Sequence, residues 1–355
     1  MILWAFLSFI VSFLLLPVAG KLALSYNFTD KPDKQRKCHQ CAVPPIGGLV
    51  IIPVFMVMSV LSGLSIQEHI YFIVALGLVW AIGGLDDKYY LSAGVRLSVQ
   101  FFAALLLVIG NLTEIYYLGD LFGFGDIQTH PFSVLFSVLC IVLVINAINM
   151  IDGLNGLCGG VLAIMLMALA CASMMAGGHE MVTPIFILLG ALSGFLFYNY
   201  RYKSFDKNCL FMGDSGSTSL GLILSWMMIE LTQNTTGAGL GLLEPALMAW
   251  IIALPVFDAL WMFAYRLFHG QSPLQADRHH IHYLMCDQGI SEKNSVNVIH
   301  YITLFYAAFG VVTISLLDVP AAYLMPLWLA CFFMHGWAVF SQSVKIPLRK
   351  ILNTY

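Results

Sequence analysis

The chain has 355 residues, of which 60% are hydrophobic and only 10% charged, with a formal net charge of -3 and a mean hydropathy of +0.86. Soluble domains carry about 25% charged residues, so this composition excludes one, and domain counting by length does not apply. With no basic excess, a nucleic-acid partner is not expected. A membrane-crossing helix needs about 20 apolar residues. By that measure the chain reads as an all-α polytopic membrane protein, one domain over 1–355 with about 11 transmembrane helices.

The first span, roughly 1–20, has no basic leader and no clear cleavage site, and reads as retained. A basic loop follows, with Lys21, Lys31, Lys34, Arg36, Lys37 and His39. It satisfies the positive-inside rule and can also gather anionic headgroups or phosphates. Cys38 and Cys41 within it form a lone CxxC, weak evidence for zinc without a second pair. Spans near 44–63 and 69–85 come next, and the second ends in Asp86-Asp87. After a span near 95–112, the stretch Ile115 to Ile127 reads as a short β-hairpin with Gly and Asp at its turn. The span near 132–148 is rich in β-branched residues, yet its length argues helix over buried strand. It runs into Asn146, Asn149, Asp152 and Asn155. Spans near 158–177 and 181–198 precede Gly213-Asp214-Ser215-Gly216, which opens a span near 216–233. A span near 242–264 carries Asp258, and the loop after it holds Asp277-Arg278-His279-His280-Ile281-His282. Spans near 298–316 and 319–341 complete the chain.

The distribution of charge orients these spans. All 16 Lys and Arg residues follow spans 1, 3, 7, 9 and 11. The alternate loops hold Glu68, Glu114, Asp120, Asp126, Glu180, Glu230, Glu244 and Asp318 and no basic residue. The positive-inside rule then puts the N-terminus and the hairpin outside, in the periplasm, and the C-terminus in the cytoplasm. None of the 8 Cys falls in an outer loop, so structural disulfides are not expected. All four polar clusters fall on the cytoplasmic side.

Each cluster has a bland reading beside a chemical one. Asp86-Asp87 suits a divalent cation of the hard, oxygen-seeking kind, or is a solvated helix end. Asn146, Asn149 and Asp152 recur every three positions and share one face at a helix end, or cap turns. Asp214 stands where an N-cap would, and the amides behind it can meet an anion. His280 and His282 point apart in a strand and diverge in a helix, which favours phosphate contact over zinc, and Arg278 can clamp a diphosphate. Asp258 is a functional candidate as an acid inside a span, or one half of an ion pair with Arg266 two turns on.

In order and position these segments resemble the polyprenyl-phosphate N-acetylhexosamine-1-phosphate transferase superfamily, over about Asp30 to Tyr283. Asp30-x-Pro-x-x-x-Arg36-Lys37-x-His39 with Pro45-x-Gly47-Gly48 is similar to its first cytoplasmic loop. Asp86-Asp87-x-x-x-Leu91 with Arg96-Leu97 and Gln100 is similar to its aspartate-pair motif. Asn146-x-x-Asn149-x-x-Asp152-Gly153 and Gly213-Asp214-x-Gly216 resemble the next two. Asp277-Arg278-x-His280-Ile281-His282 resembles the branch that transfers GlcNAc-1-phosphate, rather than the muramoyl-pentapeptide branch. Asn155 stands where many bacterial members carry a second Asp, and Tyr283 where the family closes with His.

The resemblance implies transfer of GlcNAc-1-phosphate from UDP-GlcNAc to undecaprenyl phosphate, releasing UMP, at the cytoplasmic face of a bacterial inner membrane. It implies Mg²⁺ (or Mn²⁺) held by Asp214 with Asn149 or Asp152. Asp86, Asp87, Asp152 and His280 take the catalytic positions. Arg36, Lys37, His39, Asn146, Asn155, Arg278, His279 and His282 take the substrate contacts. Another UDP-N-acetylhexosamine, a muramoyl-pentapeptide donor, a membrane hydrolase or a transporter are the competing readings. Transporters commonly carry internal repeats and midplane coupling residues; this chain shows no repeat and few midplane ionisable residues. The downstream glycan and the oligomeric state, a homodimer among the options, are not written in the sequence.

Overall fold

A computed structural model describes residues 1–30, 43–111, 113–200, 209–233, 241–272 and 278–352. The helices are α1 Ile2–Ser25, α2 Gly47–Leu61, α3 Ile70–Tyr89, α4 Ala93–Asn111, α5 Ser133–Met150, α6 Leu157–Met175, α7 Val182–Asn199, α8 Asp214–Thr232, α9 Pro245–Ile251, α10 Ala253–Phe268, α11 Ile281–Asp287, α12 Glu292–Gly310 and α13 Ala321–Leu352. A π-helical stretch, Val311–Leu316, continues α12. The strands β1 Tyr117–Gly119 and β2 Ile127–Gln128 pair antiparallel where the hairpin was expected, with Tyr117 opposite Gln128 and Gly119 opposite Ile127.

Every segment read as a span contains helix. Among the described residues, eight helices are long and apolar enough to cross a membrane: α1, α3, α4, α5, α6, α7, α12 with its continuation, and α13. The pair α9 and α10 qualifies as a ninth only if it is one span, and it is bent by 74°. The sequence reads this segment as one uninterrupted span, and the break has a local cause. Pro255 has no N–H to donate, and its ring crowds the carbonyl four residues back, at the end of α9. The apolar helix α2 is short, at 15 residues. The β-branched segment is helical, as α5.

The 19-residue α8 is buried along nearly its whole length. Three of its hydroxyls are satisfied within the helix or its cap: Ser217 donates to the Gly213 carbonyl, Ser225 to Gly221 and Thr232 to Met228. Small residues let α2, α3 and α5 close around it. A Cβ on Gly48 of α2 would sit 2.0 Å from the Gly216 nitrogen, and one on Gly83 of α3 would sit 2.5 Å from the Ser215 Cα. The segment entering α8 also runs beside the start of α2. Gly47 and Gly48 donate their N–H groups to the carbonyls of Phe211 and Met212 (2.9 and 2.8 Å), and Phe211 donates to Pro44 (3.0 Å). Two of the unpaired amides that open α2 are thereby satisfied.

At its other end α8 holds the hairpin. Gln233 accepts from the Tyr116 and Tyr117 amides (3.2 and 3.1 Å) and donates to the Tyr117 carbonyl (3.0 Å). At 1.5 Å per residue the two ends of α8 lie about 28 Å apart, about the thickness of a bilayer's hydrocarbon core. The Asp86-Asp87 pair and the hairpin therefore sit at opposite ends of the bundle.

Candidate active site

The close packing of α3 on α8 puts the aspartate pair against Asp214. Asp86 is buried. Its Oδ1 accepts from the Leu91 amide at 2.6 Å, and its Oδ2 from Arg96 Nη1 at 2.8 Å. The same Arg96 nitrogen lies 3.5 Å from Asp214 Oδ2, so one guanidinium bridges two carboxylates contributed by α3 and α8. Asn149, in the last turn of α5, donates to Asp214 Oδ1 (2.6 Å) and Ser217 Oγ (2.9 Å). The role of Arg96 was missed at the sequence level. Its signal is its place ten residues after Asp86, just across the turn that joins α3 to α4.

Asp87 faces the other way, onto the start of α8. Its Oδ1 accepts the Asp214 amide at 2.7 Å and its Oδ2 the Ser215 amide at 3.1 Å. This corrects the expectation that Asp214 is an N-cap. The cap position belongs to Gly213, whose φ of 77° suits glycine. Asp214 is the first helical residue, and the capping carboxylate comes from another helix. Asp214 thus keeps its side chain free of capping and turned toward Arg96 and Asn149.

Asp152 lies in the turn between α5 and α6, partly exposed to solvent. The surrounding protein, and then the negative charge of Asp214, push its carboxyl up to about 7. The same turn is anchored by Asn199, which accepts the Gly156 amide (2.7 Å) and donates to the Leu210 carbonyl (2.8 Å). Nothing in the sequence reading singled out Asn199. Asn155 donates to Cys209 Sγ at 3.8 Å. Asn146, one turn before Asn149, donates to the buried Gln100 (2.8 Å) and to the Val142 carbonyl (2.8 Å). Asn146 therefore ties α5 to α4 instead of joining the contacts of Asp214.

The histidine cluster sits on and before α11. His280 occupies the N-cap position of α11, and its Nδ1 lies 2.7 Å from Asp258 Oδ2. Asp258 Oδ1 accepts the Ile281 amide at 3.1 Å. The expected pairing of Asp258 with Arg266 is not formed, because the returning loop delivers His280 to the carboxylate. The rings of His280 and His282 are nearly parallel, with centroids 5.7 Å apart. This overturns the expectation that they diverge: His280 ends an extended segment and His282 begins a helix, so neither regular geometry applies across them. His282 is fully buried, and neither ring nitrogen has a hydrogen-bond partner among the described residues. Burial first, then the charges of His280 and Arg278, push its pKa down to about 3, with Asp258 opposing. His282 packs onto the Asp152 turn so tightly that a Cβ on Gly153 would sit 2.2 Å from its Nε2. Arg278 lies over the Tyr283 ring, 4.5 Å from its centroid, and 3.4 Å from Asp287 Oδ1. The ring of His279 packs against Tyr265, with centroids 4.8 Å apart.

The structure thus joins Asp86, Asp87, Asn149 and Asp214 in one hydrogen-bonded cluster, with Asp152 within reach of its charge and His282 against the Asp152 turn. Arg36, Lys37, His39, Cys38, Cys41 and Asp277 lie outside the described residues. The six described cysteines are free thiols. Among the described residues, no three His, Cys, Asp or Glu side chains converge as a ready metal cage. The donors around Asp214 are carboxylate and amide oxygens, which suit a hard cation that keeps water and ligand oxygens in its shell.

Residues 69–232, which span α3 to α8 and include the whole carboxylate cluster, match glycosyl transferase family 4. Similarity to characterised sequences extends over nearly the full chain. The undecaprenyl-phosphate alpha-N-acetylglucosaminyl 1-phosphate transferase of Escherichia coli K12 is 28% identical, over 96% of this chain and 94% of that protein. The protein of the same name from Salmonella typhi is 28% identical, over 94% and 91%. A probable undecaprenyl-phosphate N-acetylglucosaminyl 1-phosphate transferase of Bacillus subtilis is 29% identical, over 95% and 90%. The aspartate pair, the Asn149 turn and the Asp214 helix start all fall inside the region that is similar to glycosyl transferase family 4.

Proposed function

We propose that this protein transfers GlcNAc-1-phosphate from UDP-GlcNAc to undecaprenyl phosphate, on the cytoplasmic face of a bacterial inner membrane, as the first step of a lipid-linked envelope polysaccharide. The single observation that carries this reading is the Asp86–Arg96–Asp214–Asn149 cluster at one end of a bundle of apolar helices. The names of the relatives and the Asp277-Arg278-x-His280-Ile281-His282 motif favour GlcNAc among N-acetylhexosamines. The concentration of Lys and Arg on the loops of that end favours the cytoplasmic side, where nucleotide sugars are found.

In the proposed reaction a lipid phosphate oxygen attacks the β-phosphorus of the nucleotide sugar. The bond from that phosphorus to the bridging oxygen breaks, and the oxygen leaves with UMP. A phosphate monoester has a second pKa of about 6, so the nucleophile is already largely dianionic at pH 7. The demand on the protein is to place two anions together. Asp86 and Asp87 serve this by positioning, since all four of their carboxylate oxygens already hold Leu91, Arg96 and the start of α8. Asp87 fixes the N-terminus of α8, whose dipole favours negative charge. Arg278 and His280 hold diphosphate oxygens, and His282 offers beside them a ring whose nitrogens are unpaired among the described residues.

The oxygen donors fit Mg²⁺ or Mn²⁺, which Asp214 would hold with Asn149 or Asp152. When bound, such a cation would neutralise the diphosphate and ease the approach of the second anion. Positioning and electrostatics carry most of the catalysis in phosphoryl transfer.

The test is incubation of the purified protein with labelled UDP-GlcNAc, undecaprenyl phosphate and Mg²⁺. Lipid-linked label with stoichiometric UMP is the expected result, abolished by EDTA. Free phosphate without labelled lipid would replace this reading with a hydrolase. Uptake into vesicles without turnover would replace it with a transporter. A panel of UDP-N-acetylhexosamines in the same assay tests the choice of sugar.

A further inference from the structure

Asp258 lies in the second turn of α10, 1% exposed and outside the segment that matches the family. A carboxylate removed from water is stable as an anion only beside a cation and with its lone pairs occupied. The groups around Asp258 are few. His280 Nδ1 stands 2.7 Å from Oδ2, the Ile281 amide donates to Oδ1 at 3.1 Å, and His335 Nε2 of α13 lies 3.6 Å from Oδ1, beyond hydrogen-bond range. The short contact is the one to His280, which is itself buried. An ionised carboxylate only accepts, so Nδ1 must carry the hydrogen. The same carboxylate grips both the ring of His280 and the next backbone amide. It therefore sets the ring's orientation and the start of α11 together.

We infer that Asp258 is the positioning residue for His280: through the 2.7 Å contact to Nδ1 and the bond to the Ile281 amide, it keeps the hydrogen on Nδ1, fixes the plane of the ring and so sets where Nε2 meets a phosphate oxygen. The inference rests on the proposed transferase reading, in which His280 meets the diphosphate. The arrangement follows the logic by which a buried carboxylate orients a histidine and fixes which nitrogen is protonated. It assigns a function to the one acid deep in α10 and explains why α10, α11 and α13 meet at this point. Asp258 touches no reacting atom.

The experiment is a double-mutant cycle on the full-length enzyme in detergent, joined to a spectrum. Asp258→Asn keeps the shape and removes the charge. It is expected to lower kcat about 100-fold in the wild-type background, and by no more than about 2-fold in a His280→Ala background. In ¹⁵N-histidine spectra of the wild type, the resonances lost on His280→Gln should be those of a ring protonated at Nδ1. Wild-type kcat for Asp258→Asn overturns the inference, as does an equal loss in both backgrounds, which would mark a contribution to the fold alone. If Asp258→Asn does not fold, the spectrum decides, and an unprotonated Nδ1 in the wild type overturns the inference. Full activity of His280→Ala would sink the site reading as well. Impaired His280→Ala beside a fully active Asp258→Asn would sink only this inference.

Discussion

The two halves of the site are built on opposite terms. The carboxylate half stands on the long helices α3, α5 and α8, and the oxygens of Asp86, Asp87 and Asp214 are all paired. Asp86 and Asp214 share Arg96, Asn149 reaches Asp214, and Asp87 is spent on two amides. The histidine half stands on the seven-residue α11, and it contains a buried ring, His282, with both nitrogens unpartnered among the described residues. A buried polar group without a partner costs about 1–3 kcal/mol, which a ligand oxygen or hydroxyl would recover. The first half must therefore exchange partners when substrate and cation arrive, while in the second the His282 ring is unpartnered among the described residues. Residues of the first half should act on kcat, and those of the second more on binding.

The largest expected effect falls on the shared centre. Asp214→Ala removes the group that Arg96 and Asn149 both address, and should lower kcat by at least about 10³-fold in the labelled-lipid assay. Retention within 10-fold of wild type would show that the carboxylate cluster is not the reacting centre. Asp87→Ala should cost about 10²-fold in kcat, even at saturating Mg²⁺, because it strips both acceptors from the amides that open α8. Near-normal turnover would show that Asp87 does no more than stabilise the helix end. In the histidine half, Arg278→Lys keeps the charge but loses the planar fork and the stacking on Tyr283. It should raise KM for the nucleotide sugar about 10-fold with kcat little changed. A fall in kcat with unchanged KM would erase the distinction between the halves.

The elements of this comparison were unequally legible in the sequence. That Asp86-Asp87, Asn149 and Asp214 belong together follows from their recurring at the span ends that the charge pattern assigns to one side, and the helical nature of α5 follows from its length. The partner of each oxygen was not legible. Asp87 caps α8 from 127 residues away, and only the glycine-lined contact of α3 with α8 makes that possible. Reasoning within one helix paired Asp258 with Arg266, but residues eight apart on a helix are separated by about 12 Å, and a returning loop can come closer. The break between α9 and α10 had a visible cause in Pro255, yet a proline in an apolar run does not say whether a helix kinks gently or turns by 74°. The parallel stacking of His280 and His282 depends on the helix start that falls between them, and boundaries are what sequence patterns place least well.

The smallest effect, and the sharpest test of a waiting histidine half, belongs to His282. Its pKa is pushed to about 3 in the folded protein, from an ordinary value of 6.5. Between these values the unfolded chain takes up a proton at this residue and the folded one does not. The stability that the neutral ring contributes is therefore fully present above about pH 6.5 and is lost as pH falls toward about 3. Thermal unfolding of the detergent-solubilised enzyme should show a lower Tm at pH 5.0 than at pH 7.5. His282→Gln, which does not titrate, should reduce that difference, and at pH 7.5 should cost about 10-fold or less in kcat/KM. An identical drop in Tm for both proteins would mean that His282 is already paired or exposed. In that case the contrast between a satisfied carboxylate half and an unsatisfied histidine half would not hold.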